Sequence, residues 1–254
     1  MPRFTIISTT YKVGDAIDRT FDSLKAQSFR DFEYIIVDGG SDAGFVDKLA
    51  AWAQASPWFR YVSEPDRGIY DAMNKGVRLA KGDYILFLGA GDCLYDGQVL
   101  AEAAKALSGE EPDVLYGQAI IVKMDGTRKR NIRHINRSYR FRADPVIHQA
   151  IFGKRVLLEE YPFDEKYRIA SDQDWVMKMY KQDRSFRYID IPVAYFFSGG
   201  LSTNPKSNEA CLKELRRIHK SYYPGWYALH TVLRIINKHL LHIKRYKNDE
   251  ILRQ

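Results

Sequence analysis

The chain reads as an α/β protein, a mostly parallel β-sheet with helices on both faces and an amphipathic helical extension at the C-terminus. Three observations predict this. Over the first hundred residues, short β-rich apolar runs alternate with segments of helical periodicity, joined by connections of a few residues, the pattern of βα units in a parallel sheet. Each run is apolar throughout rather than alternately polar, as strands buried on both faces are. Late in the chain, a basic stretch gathers its apolar residues on one helical face.

Taken in order, FTIIST (4–9) is the first strand. AIDRTFDSLKAQ (16–27) places Ala16, Ile17, Phe21 and Leu24 at helical spacing. FEYIIVDGGSD (32–42) is a strand ending in an acid and glycines, GFVDKLAAWAQA (44–55) a helix and FRYVSEPD (59–66) a third strand. IYDAMNKGVRLA (69–80) is a third helix and DYILFLGAGD (83–92) a fourth strand. Residues 99–107 read as helix, and 113–123 as one or two strands before a turn at Asp125-Gly126. The arginine-dense segment 128–142 reads as a loop. HQAIFGKRVL (148–157) contains an apolar strand, and FDEKYRIASDQDWVMKMYKQ (163–182) runs into an amphipathic helix. FRYIDIPVAYFF (186–197) is a strand, followed by the glycine-rich SGGLSTNP (198–205). This divides the chain into a body over 1–205, with halves 1–97 and 98–205, and a tail over 206–254.

The 254 residues, 45% hydrophobic and 28% charged, suit one large α/β domain, alone or with an appendage. Two cysteines, Cys93 and Cys211, exclude a disulfide framework and fit a reducing compartment. The opening MPRFTIISTTYKVGD lacks a signal-peptide pattern, and no apolar run reaches the roughly 18 residues expected of a membrane span. The net charge of +7 is unevenly placed. Residues 1–205 hold 28 basic and 28 acidic side chains, and residues 206–254 hold 11 and 4. A neutral body with a basic tail argues for a surface-seeking tail and against a nucleic-acid-binding body.

In open parallel sheets, ligands bind beyond the carboxyl ends of the strands. The polar strand ends Thr9-Thr10, Asp38, Glu64 to Asp66 and Asp92 are therefore expected at one crevice. Each acid alone reads as a turn or a cap. Three strands each ending in a carboxylate at one sheet edge need a cation or a hydrogen-bonding ligand. A divalent metal carrying a diphosphate supplies the first, and the base and ribose of a nucleotide supply the second.

The succession TIISTTY, YIIVDGGSDAG and SEPDRGIYDAMNKGVRLAKGDYILFLGAGD resembles the nucleotide-sugar half of family 2 glycosyltransferases, which have the GT-A fold. HQAIF, FDEKYRIASDQDWVMKM and GGLST look like the acceptor half of the bacterial branch that builds capsule, exopolysaccharide and O-antigen units. The likeness covers roughly residues 3–205 and is most specific over 64–92. It implies that Thr10 packs beside the base and Asp38 bonds the base edge. Asp66 and Arg67 fall at the next base- and phosphate-side contacts. Asp92 falls at the ligand for Mn²⁺ or Mg²⁺ bridging the diphosphate. The chain departs from the pattern here, because many relatives carry two or three acids and this one has Gly89-Ala90-Gly91 before a single Asp92. The acid expected at the ribose is missing, and the glycines let backbone approach ribose and diphosphate closely.

In ASDQDW (170–175), Asp172 matches the family's catalytic base, while Asp174 is grouped with the substrate-binding residues. Two positions apart on a helix, the two acids do not share a face. Read from the residues alone, Ser171 or Asp172 is an N-cap and Asp174 a favourable charge on the helix dipole, the reading preferred for Asp174. His148 and Gln149 match positions facing donor sugar or acceptor, against the plainer reading of a half-buried histidine satisfied by backbone. The implied reaction is a single inverting displacement. The base deprotonates an acceptor hydroxyl as it attacks the anomeric carbon, typically contributing a hundred- to ten-thousand-fold, and the metal neutralises the leaving diphosphate. The donor is a nucleotide-diphospho-sugar, a UDP-sugar foremost, and the acceptor a lipid-linked saccharide. Arg128, Lys129, Arg130, Arg133, Arg137, Arg140 and Arg142 read as a solvated loop or as a clamp on diphosphates. Gly199-Gly200 with Ser202 and Thr203 suits a loop folding over the nucleotide.

In PGWYALHTVLRIINKHLLHIKR (224–245), Trp226, Leu229, Leu233, Ile236, Leu240 and Ile243 share one helical face, with His230, Arg234, Lys238 and Arg245 opposite. Such a helix lies in a membrane interface, on the protein's own body, or against a second copy in a homo-oligomer. Anionic lipids favour the first, hence an expected cytoplasmic place at the inner face of the cytoplasmic membrane. A non-catalytic nucleotide-sugar-binding protein is the other-class reading, favoured by the missing acid at Gly91. A nucleotidyltransferase is disfavoured because STTYKVGD lacks a glycine-rich basic loop. A nucleic-acid binder is disfavoured because no base-stacking order accompanies the basic charge.

Overall fold

The computed structural model describes residues 1–132, 134–135, 139, 147–200 and 205–225. Four parallel strands form its first half: β1 (Phe4–Thr10), β2 (Phe32–Asp38), β3 (Phe59–Ser63) and β4 (Tyr84–Phe87), in spatial order β3-β2-β1-β4. They alternate with α1 (Ala16–Lys25), α2 (Ala43–Ala55) and α3 (Ile69–Leu79). Register carries Thr10 opposite Asp38 and Asp38 opposite Ser63, so the polar strand ends do meet at one edge.

The second half is mixed. A two-residue strand, β5 (Cys93–Leu94), precedes α4 (Val99–Ala106), β6 (Val114–Val122) and β7 (Arg128–Asn131). β8 (Ile151–Lys154), α5 (Arg155–Glu160), α6 (Ser171–Lys181), β9 (Phe186–Phe197) and α7 (Pro205–Tyr222) follow. β8 is antiparallel to both β4 and β6, whereas β6 and β9 run parallel, and the sheet continues β4-β8-β6-β9-β5. The start of the arginine segment is not loop: β7 pairs with β6 in an antiparallel hairpin across Asp125-Gly126. Arg133, Arg137, Arg140 and Arg142 lie outside the described residues, as do Ser202, Thr203 and the tail from Trp226 onward.

Strand alternation splits the core into two layers. Phe4, Ile6, Tyr34, Ile36, Tyr84 and Leu86 pack with α1, α2 and α4 on one face. Ile7, Ile35, Val37, Ile85 and Phe87 pack with α3, α5 and α6 on the other. Ile218 of α7, 1% exposed, joins this second layer. The Glu214 carboxylate of α7 accepts the backbone N–H groups of Arg168, Ile169 and Ala170 at 2.8–3.0 Å. These lead directly into α6, so the beginning of the basic tail is built into the body.

Candidate active site

A cavity of about 550 Å³ opens beyond the ends of β1 and β4. Gly89 to Asp92 form one wall, and His148, Gln149 and Asp172 face them, with Arg19, Tyr70 and Phe197 around the rim.

The first wall is a tight turn. The Asp92 N–H returns to the Gly89 carbonyl at 2.9 Å, and Gly91 takes φ +92°, a left-handed conformation that favours glycine. Thr20 of α1 ties the turn down: its hydroxyl accepts the Gly91 N–H at 2.9 Å and donates to the Asp92 carbonyl at 2.7 Å. The Asp92 side chain folds back over Gly89, where a Cβ would lie 2.5 Å from Asp92 Oδ2. Gly89 thus makes room for the carboxylate of its own turn.

Asp92 is 6% exposed and internally satisfied. Oδ2 accepts Gln149 Nε2 and Oδ1 accepts the Phe197 N–H, both at 2.8 Å. Burial pushes its carboxyl up to about 6, against those two donors and the nearby His148 and Arg19. Mn²⁺ and Mg²⁺ prefer about six oxygen ligands. This strand end offers one carboxylate, each oxygen of which accepts one hydrogen bond and keeps about one lone-pair site, and the described residues contain no group of three or more His, Cys, Asp or Glu able to hold a metal. Asp92 therefore fits a single ligand to an ion carried by a diphosphate, and the described residues do not fit an ion caged by protein alone.

Opposite lies the second cluster. His148 and Gln149 begin a 3₁₀ turn (His148–Ala150) leading into β8, and Asp172 occupies the first turn of α6. His148 Nδ1 lies 2.7 Å from Asp172 Oδ2. Asp172 Oδ1 accepts the Tyr70 hydroxyl at 3.0 Å and the Gln173 N–H at 2.9 Å. Burial and the Asp172 charge push the Tyr70 hydroxyl well up, so it remains a donor.

The other predicted residues do not line this cavity. Asp38 is wholly buried and receives five hydrogen bonds: Thr10 Oγ1 and Ser41 Oγ on Oδ1, and Gly40 N–H, Ser41 N–H and Ser63 Oγ on Oδ2. Burial opposes its charge, but these donors hold the carboxyl below the ordinary range. It knots the ends of β1, β2 and β3 together, and a base edge would have to displace one of its partners. Asp66 Oδ1 accepts the Gly68 N–H at 2.8 Å, and its other oxygen rests against Gly39. Arg67 is exposed and pairs with Asp71 at 3.0 Å and Glu165 at 2.9 Å. Asp174, 5% exposed, points away from Asp172 toward Lys178 at 3.7 Å; its burial raises its pKa. Of the two acids in ASDQDW only Asp172 reaches the cavity, as helical geometry requires.

Sequence reasoning missed Arg19, Tyr70 and Glu214. Arg19 lies on the cavity-facing side of α1 with its guanidinium 4.0 Å over the Phe197 ring, and it makes no ion pair with a described carboxylate. Its signal was a cation early in the helix that follows the first strand. Tyr70 and Glu214 act across 102 and 44–46 residues, and no local pattern announces them.

A parallel half-sheet whose polar strand ends meet a mixed half-sheet across one cavity is an α/β architecture with a ligand-sized site between its halves. The model of glycosyl transferase family 2 matches residues 5–199, and the chain belongs to that family of glycosyltransferases. It is 33% identical over 218 residues to a PGL/p-HBAD biosynthesis glycosyltransferase of Mycobacterium bovis, covering 84% of each chain. It is 27% identical over 215 residues to the amylovoran biosynthesis glycosyltransferase AmsB of Erwinia amylovora, covering 76% of this chain and 69% of that one. Among solved structures, S. aureus TarS 1-349 in complex with UDP-GlcNAc superposes with a TM-score of 0.69 at 20% identity, over 89% of this chain and 67% of that one. The mannosyltransferase PcManGT from Pyrobaculum calidifontis, in complex with GDP-Man and Mn²⁺, gives 0.62 at 19%, over 89% and 73%.

Proposed function

We infer that the protein transfers a sugar from a nucleotide-diphospho-sugar, a UDP-sugar foremost, to a hydroxyl of a lipid-linked saccharide during synthesis of a bacterial surface glycan, inverting the anomeric centre. The observation that carries this is the oriented Asp172–His148 pair facing the Gly89 to Asp92 turn across one cavity. A proton acceptor on one side and a polar strand end on the other are what a direct displacement needs. Relatives named for PGL/p-HBAD and amylovoran biosynthesis support the glycan setting.

In this reading the nucleotide lies over the Thr10–Asp38 knot, with Asp66 and Arg67 at its margin. Arg19 meets the diphosphate, and Gln149 and His148 face the transferred sugar. Asp92 acts as the strut that holds Gln149 and the end of β9 against the turn. Mn²⁺ or Mg²⁺ would arrive with the diphosphate and be held by it together with Asp92, where it would supply charge neutralisation of the leaving group. Among the described residues no helix is long and apolar enough to cross a membrane. A cytoplasmic place at the inner membrane face, or a homo-oligomer, rests on the basic amphipathic stretch of the tail.

The test is a donor screen for nucleoside-diphosphate release by the purified protein, with and without Mn²⁺, comparing wild type with Asp172→Asn and Asp92→Ala. Release that Asp172→Asn abolishes supports the reading and identifies the sugar. Tight donor binding without release, with or without a lipid-linked acceptor, favours a protein that binds nucleotide sugars and does not transfer them.

A further inference from the structure

We propose that one face of the β7-β6-β9-β5 ribbon, centred on Tyr95, Tyr195 and Arg128, is a second saccharide site outside the cavity, and that it holds an anionic stretch of the acceptor's glycan chain. This rests on the transferase reading and names the chemistry of its acceptor. The juxtaposition that carries it is the Tyr95 ring stacked on Tyr195 at 5.2 Å, with the Arg128 guanidinium 5.3 Å over the same Tyr195 ring.

Register puts these groups on one face. Cys93 of β5 stands opposite Tyr195 of β9, and the Tyr95 N–H continues that pairing to the Val193 carbonyl at 2.9 Å. Tyr95, two residues beyond Cys93, therefore shares its side of the sheet. Val122 of β6 is aligned with both Phe197 of β9 and Arg128 of β7. The other side of the same strands carries Leu94 and Ala194 into the core. The tyrosine side is a surface: Tyr95 is 37% exposed, and Arg128 is exposed as well.

The two kinds of group suit different parts of one ligand. A tyrosine ring offers an electron-rich face to the C–H groups on the apolar side of a pyranose, while its hydroxyl stays in water. A guanidinium resting on a ring keeps its N–H edge for a carboxylate or a phosphate, which it meets with two parallel hydrogen bonds. Arg128 makes no ion pair and donates no side-chain hydrogen bond among the described residues. A bare phosphate would leave the stacked rings unused, and a neutral sugar would leave the unpaired charge unused. An anionic saccharide uses both, its charge coming from a sugar carboxylate or from a phosphate bonded to the sugar. Continuity gives the direction. Phe197, its ring 6.5 Å from that of Tyr195, lines the cavity, and so does Asn131 at the end of β7. A glycan whose terminal hydroxyl enters the cavity therefore meets this face at the mouth.

The experiment uses the full chain without donor and three probes: a hyaluronan hexasaccharide, which carries sugar carboxylates, maltohexaose 1-phosphate, which carries a phosphate, and maltohexaose, which carries neither. By titration calorimetry at least one anionic probe is expected to bind about tenfold or more tighter than maltohexaose, and the arm that binds identifies the source of the charge. Arg128→Ala is expected to weaken that binding about tenfold and Tyr95→Ala about three- to tenfold, whereas Tyr95→Phe, which keeps the ring, binds as wild type does. UDP affinity and donor cleavage are expected to be unchanged in both Tyr95 variants, and unchanged denaturation midpoints confirm that each variant is folded. The proposal is overturned if neither anionic probe binds, or if Arg128→Ala and Tyr95→Ala bind it with wild-type affinity. It is also overturned if the two substitutions remove adsorption to phosphatidylglycerol vesicles and leave oligosaccharide binding intact, since the face would then meet a membrane. A wild type that cleaves no nucleotide sugar but binds the anionic probe through these residues overturns the transferase reading and supports the saccharide site.

Discussion

Gln149 Nε2 donates to Asp92 Oδ2 across 2.8 Å, joining two segments 57 residues apart in sequence. The bond ties the turn after β4 to the 3₁₀ turn before β8, and His148 is the residue next to it. One buried carboxylate therefore sets the distance between the two walls of the cavity.

That carboxylate carries a pH signature. Burial pushes it up to about 6, above the ordinary carboxylate range, so folding favours the protonated form. The stabilisation it contributes is complete below about pH 4 and is lost as pH rises through about 6. Asp92→Asn removes the dependence. Relative to that variant, wild-type stability is expected to fall between pH 4 and 7 by about 3 kcal/mol, read as the difference in chemical-denaturation free energies across that range. Parallel pH curves for the two proteins would refute this.

Gly89→Ala is expected to break the same contact from the other side. The added Cβ would sit 2.5 Å from Asp92 Oδ2 and 3.4 Å from Gln149 Nε2, so the carboxylate must shift from the position in which it accepts Gln149 Nε2 and the Phe197 N–H. A loss of about 1–3 kcal/mol is expected from overpacking, together with weaker turnover. A denaturation midpoint equal to wild type would contradict it.

Arg19→Ala tests how the leaving group's charge is met. The guanidinium over Phe197 is the protein's cation at the cavity rim. UDP is expected to bind the variant about ten- to a hundredfold more weakly, the worth of one charged hydrogen bond. Replacing Mn²⁺ by EDTA is expected to change wild-type UDP affinity by less than about tenfold, or 1.4 kcal/mol. Titration calorimetry gives both numbers. An affinity that collapses in EDTA would return the metal to the centre of the site.

Glu214→Ala uncouples α7 from the segment leading into α6. Three backbone N–H groups lose a charged acceptor, for an expected cost of about 1–3 kcal/mol. Because Asp172 begins just beyond them, kcat is expected to fall while donor affinity holds. Stability loss with unchanged kcat would show that α7 supports the fold without positioning the site.

Much of this architecture is legible along the chain. The runs at 4–9, 32–42 and 59–66 and the helices between them emerge as β1 to β3, α1 and α2 with shifts of a few residues at their ends. Continuous apolar strands and 3.6-residue periodicity are local properties, and the sheet edge where polar ends collect follows from them. β5 and β7 were not legible. A two-residue strand and the basic sequence RKRN have no strand composition, and they are held only by pairing with β9 and β6. The site divides in the same way. Asp92, His148, Gln149 and Asp172, each singled out along the chain, do meet at one cavity. That Asp38 is spent on five internal donors and that Asp174 turns away could not.

By itself, then, the sequence determined the succession of elements, the family, and the carboxylates that end the strands, because these depend on neighbours a few residues apart. The tertiary structure decided which carboxylate oxygens remain free, which nitrogen of His148 is held, and that Asp92 folds back onto its own turn. Those outcomes hang on donors 24 to 105 residues away, whose approach is set by how the two halves of the sheet pack. Hydrogen-bond capacity is consumed in space, and only the folded chain shows what is left to do chemistry.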